Sequence, residues 1–196
     1  LCITVTNSTI SSRKLDHIQL AFESQLSDAD QRFYYEPMLS AHPELTIIPS
    51  LTLAGATMQI PLWISSMTGG AEMAGKINLL LAEACKTYGL GMGLGSCRPV
   101  LENSEYSRDF EIRKHIGEQP LFANLGIAQI EELIARNQLQ KLVDMVHRLE
   151  ANGLIIHVNP LQEWMQPEGD RFALSPLETV KRVLDAVDFP IIVKEV

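Results

Sequence analysis

Several things are scarce in this 196-residue chain, and each scarcity excludes a class of protein. It has three cysteines, Cys2, Cys85 and Cys97, an odd number with no CxxC pair. Reduced thiols in a cytoplasmic setting are therefore expected rather than a disulfide framework. No apolar run approaches the roughly 20 residues that span a bilayer, so no membrane partner is expected. The first ten residues carry no basic stretch ahead of an apolar one, so they read as a tail rather than a secretory leader. Basic residues are outnumbered, 16 against 24 acidic, for a net charge of −8. That argues against nucleic acid as a partner, which needs a basic face. It leaves room for a small anion, because a local cluster of Arg and Lys can act inside an acidic protein.

What is present is a rhythm. Residues 1–50 form a tail, a short helix over 13–24 with Leu15, Ile18 and Ala21 or Phe22 on one face, and an irregular entry segment with scattered aromatics and prolines. Residues 51–60 resemble a hairpin turning at Ala54-Gly55. From there the pattern predicts strands at 60–65, 90–95, 121–125, 154–158 and 190–193. Between them it predicts helices over 71–88, 103–116, 129–150 (one or two) and from Pro176 onward. On the first of these helices Met73, Ile77, Leu80, Leu81 and Ala84 make the apolar stripe. Before the last, Ser175-Pro176-Leu177-Glu178 reads as a capping box with Pro at the first helical position.

Alternating strands and helices with short, continuously apolar strands mark an α/β protein built on a parallel sheet buried on both faces. Polar residues gather just after the strands, where both a (β/α)8 TIM barrel and a doubly wound sheet place their ligands. The pattern leaves those two architectures open. A complete barrel takes about 250 residues, so residues 51–196 are expected to carry only about its first five strands.

Four segments can carry chemistry. Ile64 to Gly70 (ISSMTGG) lies between a strand and a helix, where small residues let backbone N–H groups approach a flat ring or an anion; it also suits a plain turn capped by Thr68. Gly89 to Gly95 (GLGMGLG) lacks the GxGxxG spacing, and its glycines point to close approach of a backbone or ligand on the strand. Ser96-Cys97-Arg98 follows, with a guanidinium suited to phosphate, or to a surface salt bridge. The densest signal is His157-Val158-Asn159-Pro160-Leu161-Gln162-Glu163, with Gln166 to Asp170 behind it. Alternation puts His157 and Asn159 on one face, with Gln162 and Glu163 on a loop above. Such a set can bind a diphosphate with its metal, since one carboxylate plus phosphate oxygens and waters is the usual Mg2+ arrangement. Lys194 ends the strand PIIVK, where burial would require a partner. Arg13, Lys14 and His17 read as a solvated basic face of the first helix. No pair of carboxylates in these motifs is placed for acid–base work, which fits a cofactor carrying the proton transfer.

Together, Arg13 to Ile18, Tyr35-Glu36-Pro37, Ile64 to Gly70, Gly93 to Arg98, Phe122 to Gly126, Ile156 to Glu163 with Gln166 to Asp170, and Pro190 to Glu195 resemble the type 2 isopentenyl-diphosphate isomerase family, in the family's order. The resemblance implies an FMN-binding barrel that interconverts isopentenyl and dimethylallyl diphosphate for isoprenoid biosynthesis. It implies Mg2+, NADPH as flavin reductant, and a homotetramer or larger homo-oligomer. By motif match Met67, Thr68, Ser96, Asn124 and Lys194 would touch the flavin. His157 and Gln162 would be catalytic, and Arg98, Asn159 and Gln162 would face the substrate. Arg13, Lys14 and His17 would reach the diphosphate, the first two in a neighbouring subunit, and Glu163 would hold Mg2+. Another FMN barrel oxidoreductase and an inactive truncated fragment share the same layout.

Overall fold

The computed structural model describes residues 48–66, 72–167, 169–171 and 173–195, together with Ile18, Gln19, Phe22 and Met38. Arg13, Lys14, His17, Met67 and Thr68, most of the expected helix over 13–24, and Tyr35-Glu36-Pro37 lie outside the described residues.

The hairpin forms as expected. β1 (Leu51–Leu53) pairs antiparallel with β2 (Ala56–Met58). Ala54 and Gly55 both take positive φ, +51° and +78°, the conformation that lets a two-residue turn follow the twist of its strands.

Five strands make one parallel sheet: β3 (Trp63–Ile64), β4 (Gly91–Gly93), β5 (Leu121–Gly126), β6 (Gly153–His157) and β7 (Ile191–Lys194). Their order across the sheet is their order along the chain. A doubly wound sheet reverses direction at a switch point. Here every crossover advances to the next neighbour, so the sheet is singly wound and curls as a half-barrel.

Alternation sorts each strand between two faces. Met92, Leu94, Leu121, Ala123, Leu125, Leu154, Ile156 and Val158 are buried with residues of the helices in the main apolar core. Trp63, Phe122 and Ile155 stand on the other, concave face, with Trp63 and Phe122 in edge-to-face contact at 5.6 Å. The β4 glycines serve that face. A Cβ on Gly91 would lie 2.2 Å from Trp63 Cε3, and one on Gly93 would lie 2.6 Å from both Ile155 Cδ1 and Ser66 Oγ. The close approach expected of these glycines is thus made by neighbouring side chains.

The helices depart from expectation in three ways. In α1 (Glu72–Tyr88) the buried positions are Ala74, Asn78, Ala82 and Cys85, while Met73 and Leu80 are exposed. The buried stripe is turned from the one with the largest side chains, because small residues let the 105–116 segment pack closely. The helix expected over 103–116 is not one helix: α2 (Arg98–Leu101) ends before it, Asn103 takes φ +50°, and a 3-10 turn (Glu105–Phe110) and α3 (Arg113–Ile116) follow. Third, α6 (Pro160–Met165) replaces the loop expected after Asn159. Between them α4 (Ile127–Ala135) and α5 (Gln140–Arg148) divide at Asn137, with φ +54°. α7 (Pro176–Leu184) starts as the sequence suggests, with Ser175 Oγ accepting from Glu178 N at 3.2 Å. The reciprocal half of the box is absent, since Glu178 takes Arg182 instead, at 2.9 Å.

The strand entrances are riveted by Arg113. Its guanidinium donates to the carbonyl oxygens of Gly117 (2.8 Å), Gln119 (2.9 Å) and Glu150 (2.6 and 2.9 Å) and to Asn152 Oδ1 (2.9 Å). Burial lowers its pKa, and the charges of Glu118 and Glu150 only partly oppose this. Asn152 Oδ1 also accepts from Leu121 N, tying the starts of β5 and β6.

Candidate functional site

The opposite ends of the strands carry the polar residues. Gly126, His157 and Lys194 lie in register across β5, β6 and β7, with Asn124, Ile155 and Ile192 in the row below. Paired residues of parallel strands share a face, so Asn124, His157 and Lys194 project from the concave side that also holds Trp63 and Phe122.

Asn124 is held by its backbone. Its N–H donates to Cys97 Sγ at 3.5 Å and its carbonyl accepts from Cys97 N at 2.7 Å. Its side chain is buried, and Oδ1 has no hydrogen-bond partner among the described residues. Ser66 Oγ, beside Gly93, is likewise buried without a partner among them. Unpaired buried polar atoms cost about 1–3 kcal/mol each; these two lie on the concave face, and the others among the described residues belong to Ser104, Gln119 and Thr179. Ser96, half-buried, follows the end of β4 between Gly95 and Cys97.

At the tips of β6 and β7 the side chains converge on a residue the motif reading passed over. Glu195 Oε2 meets His157 Nε2 at 2.8 Å and accepts from Asn159 Nδ2 at 2.9 Å, while Oε1 accepts from Lys194 Nζ at 2.9 Å. Asn159 lies beyond the end of β6 and caps α6, its Oδ1 accepting from Gln162 N at 3.2 Å and its Nδ2 donating to Gln162 Oε1 at 2.7 Å. Gln162 and Glu163 therefore sit on a helix, not the expected loop. Burial pushes the Glu195 carboxyl pKa up, but the hydrogen bonds and charges of Lys194 and His157 outweigh it and hold the pKa below its ordinary value. The carboxylate among the strand tips is a single one, beside the expectation that no pair is placed for acid–base work.

A second cluster is centred on Asp170. Its Oδ2 accepts from Arg98 Nη1 at 3.4 Å and from the Gln129 side-chain amide, and its N–H donates to Glu163 Oε2 at 2.9 Å. Arg98 also donates through Nε to Glu102 at 2.7 Å. The hydrogen bond to Glu102 is the main cause raising the Arg98 pKa, against the effect of burial. A cleft of about 390 Å³ opens here, lined by Arg98, Gln129, Glu131, Glu132, Asp170 and Arg171. Among the described residues no group of three or more His, Cys, Asp or Glu side chains could hold a metal ion by itself, and no helix is long and apolar enough to cross a membrane. Glu163 offers a single hard carboxylate, a donor set that suits Mg2+ only when a ligand supplies further oxygens. Of the residues singled out in the sequence, the structure thus brings His157, Asn159 and Lys194 together through Glu195, with Gln162 bonded to Asn159, sets Asn124 on the same face, and joins Glu163 to Arg98 through Asp170.

Glu195 and Asp170 could have been flagged as carboxylates beside singled-out residues. Alternation, however, would send Glu195 to the face opposite Lys194. The backbone ends the strand there with φ +60° and returns the side chain to the concave side.

No family model matches the chain. Curated relatives do. A protein named isopentenyl-diphosphate delta-isomerase from Cronobacter sakazakii is 42% identical over 194 residues, 95% of this chain and 55% of its own length. Proteins of the same name from Synechocystis and Nostoc are 38% and 37% identical, over 94% and 98% of this chain and 54% and 56% of their own. The chain spans about half the length of the curated relatives it matches. A mandelate oxidase mutant, solved with a monooxide FMN adduct, is similar in fold with a TM-score of 0.53 at 16% identity, over 76% of this chain and 44% of that one. Over nearly all of its own length, and about half of theirs, the chain is thus similar to several proteins named isopentenyl-diphosphate delta-isomerase.

Proposed function

We propose that the protein of which this chain is part interconverts isopentenyl and dimethylallyl diphosphate, with FMN and Mg2+ at the concave face. The observation that carries the reading is the convergence of Asn124, His157 and Lys194 on one face of a singly wound sheet, in a chain whose relatives bear the isomerase name. Residues 1–50 serve as an entry segment, and residues 51–196 as the first part of a barrel.

Asn124 Oδ1 and the Lys194 ammonium are the acceptor and cation suited to the polar edge of the flavin, with Ser96, Met67 and Thr68 assigned to the same ligand. Reduced FMN, kept so by NADPH, would supply the group that exchanges protons with the allylic carbons. The protein's part is to orient the substrate, exclude water and neutralise the diphosphate. His157 and Gln162 would act at the reacting carbons, with Asn159 holding Gln162 and Glu195 holding His157. Arg98 takes the diphosphate together with Arg13, Lys14 and His17, and Glu163 holds Mg2+ bound to it. For Arg98 and Glu163 to do so, each must exchange its present contact with Asp170 for a ligand oxygen. Further copies of the chain complete the assembly as a homotetramer or larger.

The test is turnover of 13C-labelled isopentenyl diphosphate by the purified protein with reduced FMN and Mg2+, followed by NMR. Dimethylallyl diphosphate is expected. Glu163→Gln is expected to abolish Mg2+ dependence and most activity. A protein that oxidises a 2-hydroxy acid and leaves isopentenyl diphosphate untouched would overturn the reading.

A further inference from the structure

We infer that Glu195 is a positioning residue, whose one carboxylate fixes both the imidazole of His157 and the ammonium of Lys194 and, through Asn159, sets the orientation of Gln162. What the clamped groups then do rests on the isomerase reading; the clamp itself does not.

The backbone supplies the first argument. Glu195 has φ +60°, a left-handed conformation that residues other than glycine rarely take. Such conformations persist where the surroundings over-determine them, and they gather at functional sites. Here the surroundings are three donors from separate places: the tip of β6, the cap of α6 and the tip of β7. An extended residue at this position would point its carboxylate into the helix side of the sheet and leave all three without it.

The second argument is donor and acceptor matching. An ionised carboxylate only accepts. Its contact with His157 Nε2 at 2.8 Å therefore requires a hydrogen on Nε2, which leaves Nδ1 as the ring nitrogen that can meet a ligand. The Asn159 amide is used in full. One Nδ2 hydrogen goes to Glu195 at 2.9 Å, the other to Gln162 Oε1 at 2.7 Å, and Oδ1 takes Gln162 N at 3.2 Å. With its oxygen so held, Gln162 presents its NH2 group as the end that addresses a ligand. Glu195 thus determines which atom of His157 and which of Gln162 can meet a ligand. It also offsets the charge of Lys194 on the same face. No other carboxylate among the described residues touches His157, Asn159 or Lys194 in the contacts described above.

Glu195→Gln in the intact protein is the test. The amide has one accepting oxygen and cannot serve both the His157–Asn159 side and Lys194. Misplacement of catalytic groups by about 1 Å costs on the order of a hundredfold. The expected result is a fall in kcat of roughly ten- to a hundredfold. KM should move by less than about threefold, because positioning acts on the reacting geometry more than on ground-state binding. In the 15N–1H NMR spectrum of the imidazole, the hydrogen-bonded Nε2–H signal of His157 should shift and broaden. If Glu195→Gln does not fold, Glu195→Asp, which keeps the charge but withdraws the carboxylate by one methylene, should show the same kcat-against-KM split and the same spectral change. The inference is overturned if the wild-type protein turns over isopentenyl diphosphate and the variant keeps kcat within twofold, or if the His157 signal is unchanged. Should the wild-type protein not turn over, the isomerase reading fails while the imidazole spectrum still decides the clamp.

Discussion

Asn124→Ala separates stability from ligand binding. Truncating a well-packed core side chain costs about 2–5 kcal/mol. Asn124 is 4% exposed, so that is the loss expected if its carboxamide were an ordinary structural element. Its Oδ1, however, is buried without a partner among the described residues, a penalty of about 1–3 kcal/mol that alanine removes. Against this stands a void worth on the order of 1 kcal/mol. The two roughly cancel, or leave a gain of about 1 kcal/mol, a rise of about 2–4 °C in melting temperature for a protein of this size. Backbone anchoring is unaffected, because Cys97 grips the Asn124 main chain and not its side chain. With FMN bound as proposed, the balance would reverse. One neutral hydrogen bond contributes about 0.5–1.5 kcal/mol, so Asn124→Ala should weaken FMN roughly two- to tenfold. Urea unfolding of the flavin-free protein and a fluorescence titration with FMN measure the two quantities. A loss above 2 kcal/mol without flavin, with FMN affinity unchanged, would refute the reasoning, for it would mean that the carboxamide is satisfied within the fold.

Two further predictions concern parts of the molecule away from the site. Arg113→Ala removes five hydrogen bonds and leaves the carbonyls of Gly117, Gln119 and Glu150 without them, so unfolding in urea should show a loss of about 3 kcal/mol. Flavin affinity should stay unchanged, because the residue lies at the strand entrances; a loss below 1 kcal/mol, or a parallel loss of affinity, would contradict this. Burial pushes the Cys85 thiol up to about 11, and its Sγ–H donates to Gly91 O at 3.7 Å. At pH 8 only about one thousandth is thiolate, so alkylation mapped by mass spectrometry should reach Cys85 in urea and spare it in the native protein, and equal rates in both would count against it.

Which parts of this structure were legible without coordinates follows from the range of the forces involved. The five strands, the hairpin at Ala54-Gly55 and the start of α7 behind Ser175 rest on periods of two and 3.6 residues and on local turn and cap chemistry, so a short window of sequence contains their cause. The same local evidence misjudged α1 and the 103–116 segment. The face a helix buries depends on what packs against it, and Ala74 and Ala82 admit a neighbour that Met73 and Leu80 would hold off.

The sequence alone therefore determined an α/β chain whose chemistry sits after its strands. Only the tertiary structure decided that the sheet is singly wound, because strand order is a relation between segments that no local pattern encodes. Only it brought Glu195 to His157 and Asn159, 38 and 36 residues away, and Asp170 to Arg98, 72 residues away. Those contacts depend on adjacent parallel strands ending at one level and on a single left-handed residue that reverses the direction alternation would give its side chain.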